Sequence, residues 1–204
     1  MPDSSEKIAA VVLAGGRSRR MQDDKRLLPF GNTNLLNHCV QTLKKQCSLV
    51  LVNSNSAIPG CDLPLVTDRH QGTAGPLDGV ISSLQWLTEA HPQYTHLLTA
   101  PVDCPFLPDD FAKSLWQARR PNTVVIAASD GRQHYTCALW PIELLTRLQN
   151  YFDGGGRAFK NFVNENDTSV VEFPTAELDP FFNINEPRDY HYALSLLQNK
   201  SSHP

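Results

Sequence analysis

The chain has 204 residues, 41% hydrophobic and 19% charged, with a formal net charge of −3. That length suits one domain with a sizeable core, and that composition excludes a disordered chain. The negative charge excludes a nucleic-acid binder built on non-specific phosphate contacts, no apolar run approaches the length of a membrane span, and five cysteines without a C-x-x-C pair argue against a zinc site or a secreted disulfide framework.

In chain order, short apolar runs alternate with helical patterns. Residues 8–13 read as a buried strand, and 49–52, 97–100 and 123–128 as three more, each too short for a typical helix. Between them lie amphipathic helices. Leu35, Leu36, Cys39, Val40 and Leu43 follow a cap at Asn34, and Leu77, Val80, Ile81, Leu84 and Leu87 follow Pro76. Phe111 and Leu115 follow Pro108-Asp109-Asp110, and a terminal helix carrying Leu194 and Leu197 opens at Pro187. Residues 133–140 alternate as an antiparallel strand would. The pattern predicts an α/β, Rossmann-like fold: a mostly parallel twisted sheet, helices on both faces and one antiparallel strand. No repeat or linker divides the chain, so one domain over 1–204 is expected, with an ordered core over about 7–198. The first ten residues show no signal-peptide pattern, so a cytoplasmic protein with reduced, mostly buried thiols is expected.

Ligands of such sheets bind beyond the carboxyl ends of the strands, and there the sequence is informative. After Val11-Val12-Leu13 come Ala14, Gly15 and Gly16, then Arg17, Arg19, Arg20 and Lys25. Two glycines let the backbone approach a ligand closely, exposed amides can cradle phosphate oxygens, and four cations within nine residues call for an anion such as a triphosphate. The plainer alternative is a glycine turn leading into a solvated basic loop. A Walker A loop and a dinucleotide fingerprint are both excluded, because no further glycine stands at the required spacing.

Leu13-Ala14-Gly15-Gly16-x-Ser18-x-Arg20-Met21, ending in Lys25, resembles the signature loop of the sugar-nucleotide and cofactor nucleotidyltransferases, and its Gly-Gly form is similar to that of the molybdenum cofactor guanylyltransferases. The likeness continues through Asn32-Thr33-Asn34-Leu35-Leu36, Val52-Asn53-Ser54-Asn55, Thr67-Asp68, Gly75-Pro76-Leu77-x-Gly79, Pro101-x-Asp103-x-Pro105-Phe106-Leu107, Asp130-Gly131-Arg132-x-His134 and Asn183-Ile184-Asn185-x-Pro187. Two residues depart from the family pattern: Gln22 stands where a glycine is usual and Tyr135 where a proline is usual.

The resemblance implies transfer of GMP from GTP to the terminal phosphate of the molybdenum–molybdopterin cofactor. It implies Mg²⁺ as cofactor, and as partners a GTP-binding accessory protein and the apo-molybdoenzymes that receive the product. By resemblance the catalytic residues are Lys25, Asp103 and Arg20, and Asp103 is also the metal ligand. The nucleotide would meet Leu13, Ala14, Gly15, Gly16, Lys25, Asn53, Asp68 and Asp103, and the acceptor would meet Arg132, His134, Arg157, Asn183 and Asn185. Read from the residues alone, Asp103 is equally a turn former before Pro105, Lys25 a solvated lysine, Arg132 and His134 part of a surface hairpin, and Asn183 with Asn185 a helix-capping turn. The same fold with CTP or a sugar phosphate, and a non-catalytic nucleotide- or cofactor-binding protein, are the rival readings. The enzymatic reading requires the basic turn at Lys25 and the carboxylate at Asp103 to converge on one triphosphate–metal complex.

Overall fold

The computed structural model describes residues 7–15, 24–70, 75–175 and 178–201. Strand β1 (Ile8–Leu13) is apolar throughout and buried along its whole length, as a strand covered on both faces must be. Side-chain alternation divides it between two cores. Ile8, Ala10 and Val12 face helices α1 (Leu35–Lys44) and α3 (Phe111–Gln117). Ala9, Val11 and Leu13 face α2 (Pro76–Ala90), α4 (Leu145–Asp153) and α5 (Phe159–Asn164). The helices thus lie on both faces, and β1 is the axis of the molecule.

The other strands of the main sheet are β4 (Leu49–Asn53), β5 (Leu65–Val66), β6 (His96–Pro101), β7 (Val124–Ser129), β8 (Arg132–Pro141) and β9 (Thr168–Glu172). Their order is β5-β4-β1-β6-β8-β7-β9. Strand β8 is antiparallel to both of its neighbours, while the β1–β4, β1–β6, β4–β5 and β7–β9 pairs are parallel. The expected mixed sheet with one antiparallel strand is therefore observed. Two-residue strands β2 (Pro29–Phe30) and β3 (Thr33–Asn34) form a separate hairpin. Helix α6 (Pro187–Ser201) returns to this hairpin, and Ile184 and Ala193 pack there with Phe30 and Leu35.

Local chemistry explains the boundaries. Asn34 caps α1, its side chain accepting from the Asn37 amide at 2.8 Å. Helix α2 begins with Pro76 at its first turn after Gly75, whose φ of 70° no bulky residue adopts readily. The β7–β8 hairpin turns through Asp130 and Gly131, both with positive φ, as a tight two-residue hairpin demands. One irregularity matters for the site. Ile126 pairs with Ala138 while the next residue, Ala127, pairs with His134, so Tyr135, Thr136 and Cys137 bulge out of β8.

From β1 the chain passes to β4 on one side and later to β6 on the other. That reversal makes the crevice beyond the carboxyl ends of β1 and β6 the switch point of the sheet. Among the described residues, no helix is long and apolar enough to cross a membrane.

Candidate active site at the switch point of the sheet

A cavity of about 350 Å³ occupies this crevice. Leu13, Ala14 and Gly15 enter it from the end of β1, Pro101, Val102 and Asp103 from the end of β6, and Lys25 and Arg26 from a 3₁₀ turn (Lys25–Leu27). Pro76, Thr136, Asn183 and Asn185 complete the wall. The backbone binds the two strand ends together: the Val102 amide donates to the Leu13 carbonyl at 3.1 Å, and the Ala14 amide to the Asn53 carbonyl at 2.9 Å.

Lys25 and Asp103 meet at the centre. Lys25 Nζ lies 2.9 Å from Asp103 Oδ2, although the residues are 78 positions apart in the chain. Their side chains are 11% and 23% exposed, which leaves the pair accessible from the cavity. The turn holding Lys25 is braced by Asp24, whose side chain accepts from the Arg26 amide at 3.1 Å and forms an ion pair with the Arg26 guanidinium at 2.5 Å. That guanidinium holds the Asp24 carboxyl below its usual range. Arg26 Nη1 also donates to Ser54 Oγ at 2.6 Å, tying the turn to the end of β4.

On the opposite wall the Ile184 amide donates to the Asp103 carbonyl at 2.9 Å, and Cys104 Sγ to Asn183 Oδ1 at 3.2 Å. Asn183 and Asn185, one residue apart on either side of the buried Ile184, both reach the cavity, as an extended segment requires. The helix that follows is capped by Asp189, whose carboxylate accepts from the Asn185 and Glu186 amides. The thiols below this wall are neutral. Burial pushes Cys39 far up, and hydrogen bonding with Cys137 together with burial raises Cys104. All five cysteines are free, and all but Cys61 are buried.

Not every predicted residue faces the cavity. Asn53 is 2% exposed, and its amide donates to the Val66 carbonyl at 3.1 Å and to Asp68 Oδ1 at 2.8 Å. Asn55 Nδ2 donates to Asp68 Oδ2 at 2.7 Å, so both carboxylate oxygens of Asp68 carry an amide. Asn53 stands just behind the lining, next to Gly15 and Gly79, and carries Asp68 on its amide: a Cβ on Gly79 would lie 2.2 Å from Asn53 Oδ1. His134 is 6% exposed, lies 2.7 Å from Ser129 Oγ, and packs on Phe181. Burial lowers its pKa. Arg132 is exposed on the hairpin. Arg157 donates to the Phe152 and Gly156 carbonyls and lies over the Phe152 ring at 3.8 Å. Gly16, Arg20 and Gln22 lie outside the described residues.

Sequence reasoning missed Arg26, Val102 and Thr136 in the cavity wall. Arg26 extends the cation cluster and was open to the same argument as Lys25. Thr136 reaches the wall through the bulge in β8, which no local pattern announces. Tyr135, the departure from the family pattern, packs instead against the α2–α4–α5 core.

Two cations, one carboxylate and two carboxamides therefore converge on a cavity floored by the backbone of a glycine-containing strand exit. That arrangement suits phosphate oxygens and a hard cation bound among them. Asp103 is the only carboxylate among the described lining residues, and no group of three or more described His, Cys, Asp or Glu residues could hold a metal by itself. An all-oxygen set with a single carboxylate fits Mg²⁺, which keeps several waters and takes its remaining ligands from substrate phosphates.

Comparison with known proteins agrees in sequence and in fold. A sequence model of the MobA-like NTP transferase domain matches residues 10–168. A molybdenum cofactor guanylyltransferase of Rhizobium johnstonii is 40% identical over 189 residues, covering 89% of each chain. Another of that description, from Mesorhizobium japonicum, is 38% identical over 205 residues, covering 96% of this chain and 98% of its own. The crystal structure of molybdopterin-guanine dinucleotide biosynthesis protein A from Archaeoglobus fulgidus superposes with a TM-score of 0.73 over 94% of this chain and 99% of that one, at 18% identity.

Proposed function

This chain belongs to the MobA-like NTP transferase domain family, and from that premise we propose that it transfers GMP from GTP to the terminal phosphate of the molybdenum–molybdopterin cofactor. An oxygen of the acceptor phosphate attacks the α-phosphorus of GTP. The new P–O bond forms as the bond to the β-phosphate oxygen breaks, pyrophosphate leaves, and a guanine dinucleotide results with no change of oxidation state. The observation that carries this reading is the ion pair of Lys25 and Asp103 in the wall of the switch-point cavity, 2.9 Å apart.

Each partner of that pair neutralises the other until substrate arrives. Lys25 then turns to the triphosphate and stabilises negative charge as the α–β bridge breaks. Asp103, freed from Lys25, would hold Mg²⁺, with Asn183 and Asn185 offering neutral oxygens in the same cavity wall. A bound Mg²⁺ supplies charge neutralisation on the phosphates. The Gly15 amide, beyond Leu13, would seat a phosphate oxygen, and Gly16 and Arg20 would serve the same phosphates. Asn53 and Asp68 serve the nucleoside end from behind the wall, with Asp68 as an acceptor-only carboxylate.

Asn183 and Asn185 orient the acceptor. Arg132, exposed on the β7–β8 hairpin, would meet an anionic acceptor, while His134 and Arg157 are engaged within the fold. Rate comes from positioning and charge rather than from a covalent intermediate, in keeping with the neutral buried thiols. The enzyme works in the cytoplasm, with a GTP-binding accessory protein and the apo-molybdoenzymes as partners. Pyrophosphate release should be measured with ATP, CTP, GTP and UTP, with and without molybdenum–molybdopterin. Release with GTP and acceptor together is expected. CTP as the preferred substrate, or GTP binding with no release, would overturn the guanylyltransferase reading.

A further inference from the structure

Behind the cavity, three consecutive backbone amides are each received by a side chain instead of by another strand. The Asp68 amide donates to Asn55 Oδ1 at 2.8 Å, the Arg69 amide to Ser82 Oγ at 3.0 Å, and the His70 amide to Asp78 Oδ2 at 2.8 Å. Strand β5 ends at Val66, so residues 68–70 have no ladder to hold them. Asn55, just after β4, and two side chains from the first two turns of α2 replace it. Asp78 and Ser82 are four residues apart and share one helix face.

Asp78 is the unusual member. Its side chain is fully buried, and its second oxygen lies 3.2 Å from His70 Nδ1. A carboxylate buried in a helix flank is costly unless its oxygens are engaged, and both oxygens of Asp78 are engaged by one residue. The His70 ring also stacks on Phe152 at 4.8 Å, the ring under the Arg157 guanidinium. The segment that presents Asp68 is therefore anchored at its far end to α2 and to α4.

We propose that Asp78 is a positioning residue for nucleoside recognition: through its two contacts to His70, with Ser82 assisting at Arg69, it holds the 68–70 segment so that Asp68 stands ready for the nucleoside. The inference rests on the proposed GTP-dependent reaction and adds a division within the site. The phosphates are seated by Gly15, Lys25 and Asp103, which Asp78 does not touch. The nucleoside is read by a segment whose geometry Asp78 sets. Loss of Asp78 should then weaken binding of the whole nucleotide and leave the bare phosphate chain unaffected.

The test is titration calorimetry of the full chain with GTP–Mg²⁺ and with inorganic triphosphate–Mg²⁺. For Asp78→Ala the GTP dissociation constant should rise about tenfold, the scale of losing two hydrogen bonds to a charged group. For Asp78→Asn, which keeps the volume and one accepting oxygen, about threefold is expected, and for Ser82→Ala about twofold. Inorganic triphosphate should bind all four proteins alike, which a general loosening of the fold would not produce. If Asp78→Ala does not fold, the Asn and Ser82 variants carry the test in the same direction. Unchanged GTP affinity in the folded variants, or equal weakening for GTP and inorganic triphosphate, would overturn the inference alone. A wild-type protein that binds no GTP would overturn the proposed function and this inference with it.

Discussion

Two kinds of polar cluster sit at the same end of the sheet, and they use their hydrogen-bonding capacity in opposite ways. The Lys25–Asp103 pair makes one contact and opens onto the cavity. The Asn53–Asn55–Asp68 set and the Ser129–His134–Asp179 set are closed: each member is engaged by another, and Asn53, Ser129 and His134 are almost fully buried. Open groups can trade partners with a ligand at small cost, because their desolvation is only partial. The buried members Asn53, Ser129 and His134 cannot, because releasing one leaves a buried neighbour unsatisfied, whereas the half-buried Asp68 and the exposed Asn55 can. The open pair is therefore suited to chemistry, the buried members of the closed sets to shape, and the half-buried Asp68 to contact with the nucleoside.

Removing the open pair should give the largest effect. Lys25→Ala is expected to lower kcat by roughly 10²–10³, the scale of deleting one preorganised charge stabiliser. Asp103→Asn, which keeps the side-chain shape, should fall in the same range. Both are measured as pyrophosphate release at saturating GTP, with thermal melting as the control for folding. Wild-type turnover in either variant would place the chemistry elsewhere in the molecule.

The contrast also explains what the sequence could and could not disclose. Strand β1, helix α1 and helix α2 were legible because their apolar periods run over many residues. The convergence of Lys25 with Asp103 was legible because strand ends in parallel sheets meet at the switch point. Strand β5 has two residues and no period to read. Strand β9 is only partly buried along its length, so its pattern blurs, and α4 and α5 went unread because α5 has six residues and α4 follows directly on a 3₁₀ turn. The closed character of Asn53 and His134 was hidden for a different reason. Asn53 is turned into the fold by partners 13 and 15 residues away, and His134 by Ser129, itself tied to Asp179 50 residues on, and residue type says nothing about such partners.

Disturbing a closed set without touching its polar atoms sharpens the contrast further. A Cβ at position 79 would lie 2.2 Å from Asn53 Oδ1 and 2.8 Å from its Cγ, within a helix that cannot shift freely. Gly79→Ala should destabilise the protein by about 1–3 kcal/mol, as overpacking does, and raise the KM for GTP more than it lowers kcat. Denaturant unfolding and a GTP saturation curve check the two parts. A lowered kcat with an unchanged KM would mean that the Asn53 set belongs to the chemistry after all. On the other flank, Ser129→Ala removes the hydroxyl that joins His134 to Asp179 and should cost about 1–2 kcal/mol of stability, with kcat within about a factor of two of wild type, because Ser129 is absent from the cavity wall.

The smallest effect is a slope, and its sign distinguishes a neutral His134 from a charged one. Burial is the largest influence on this imidazole and lowers its pKa, against an opposing pull from Asp179. The folded value therefore lies below that of the unfolded chain, near 6.5. Above that pH both states are neutral and His134 contributes no slope. As pH falls through this window the unfolded chain takes up a proton that the folded imidazole refuses, so stability declines until the folded pKa is reached. His38 and His96 are lowered in the same sense by burial, His96 to about 4, so the wild type combines all three contributions. Replacing one of them, His134→Gln, should make the acid-side decline shallower by at most about 1.4 kcal/mol per pH unit, one proton's worth. Urea midpoints at several pH values between neutrality and pH 5 measure it. If the variant instead loses stability faster than wild type as the pH falls, the wild-type imidazole gains a proton on folding. The Asp179 pull then outweighs burial, and the set around Ser129 is a buried ion pair rather than a neutral brace.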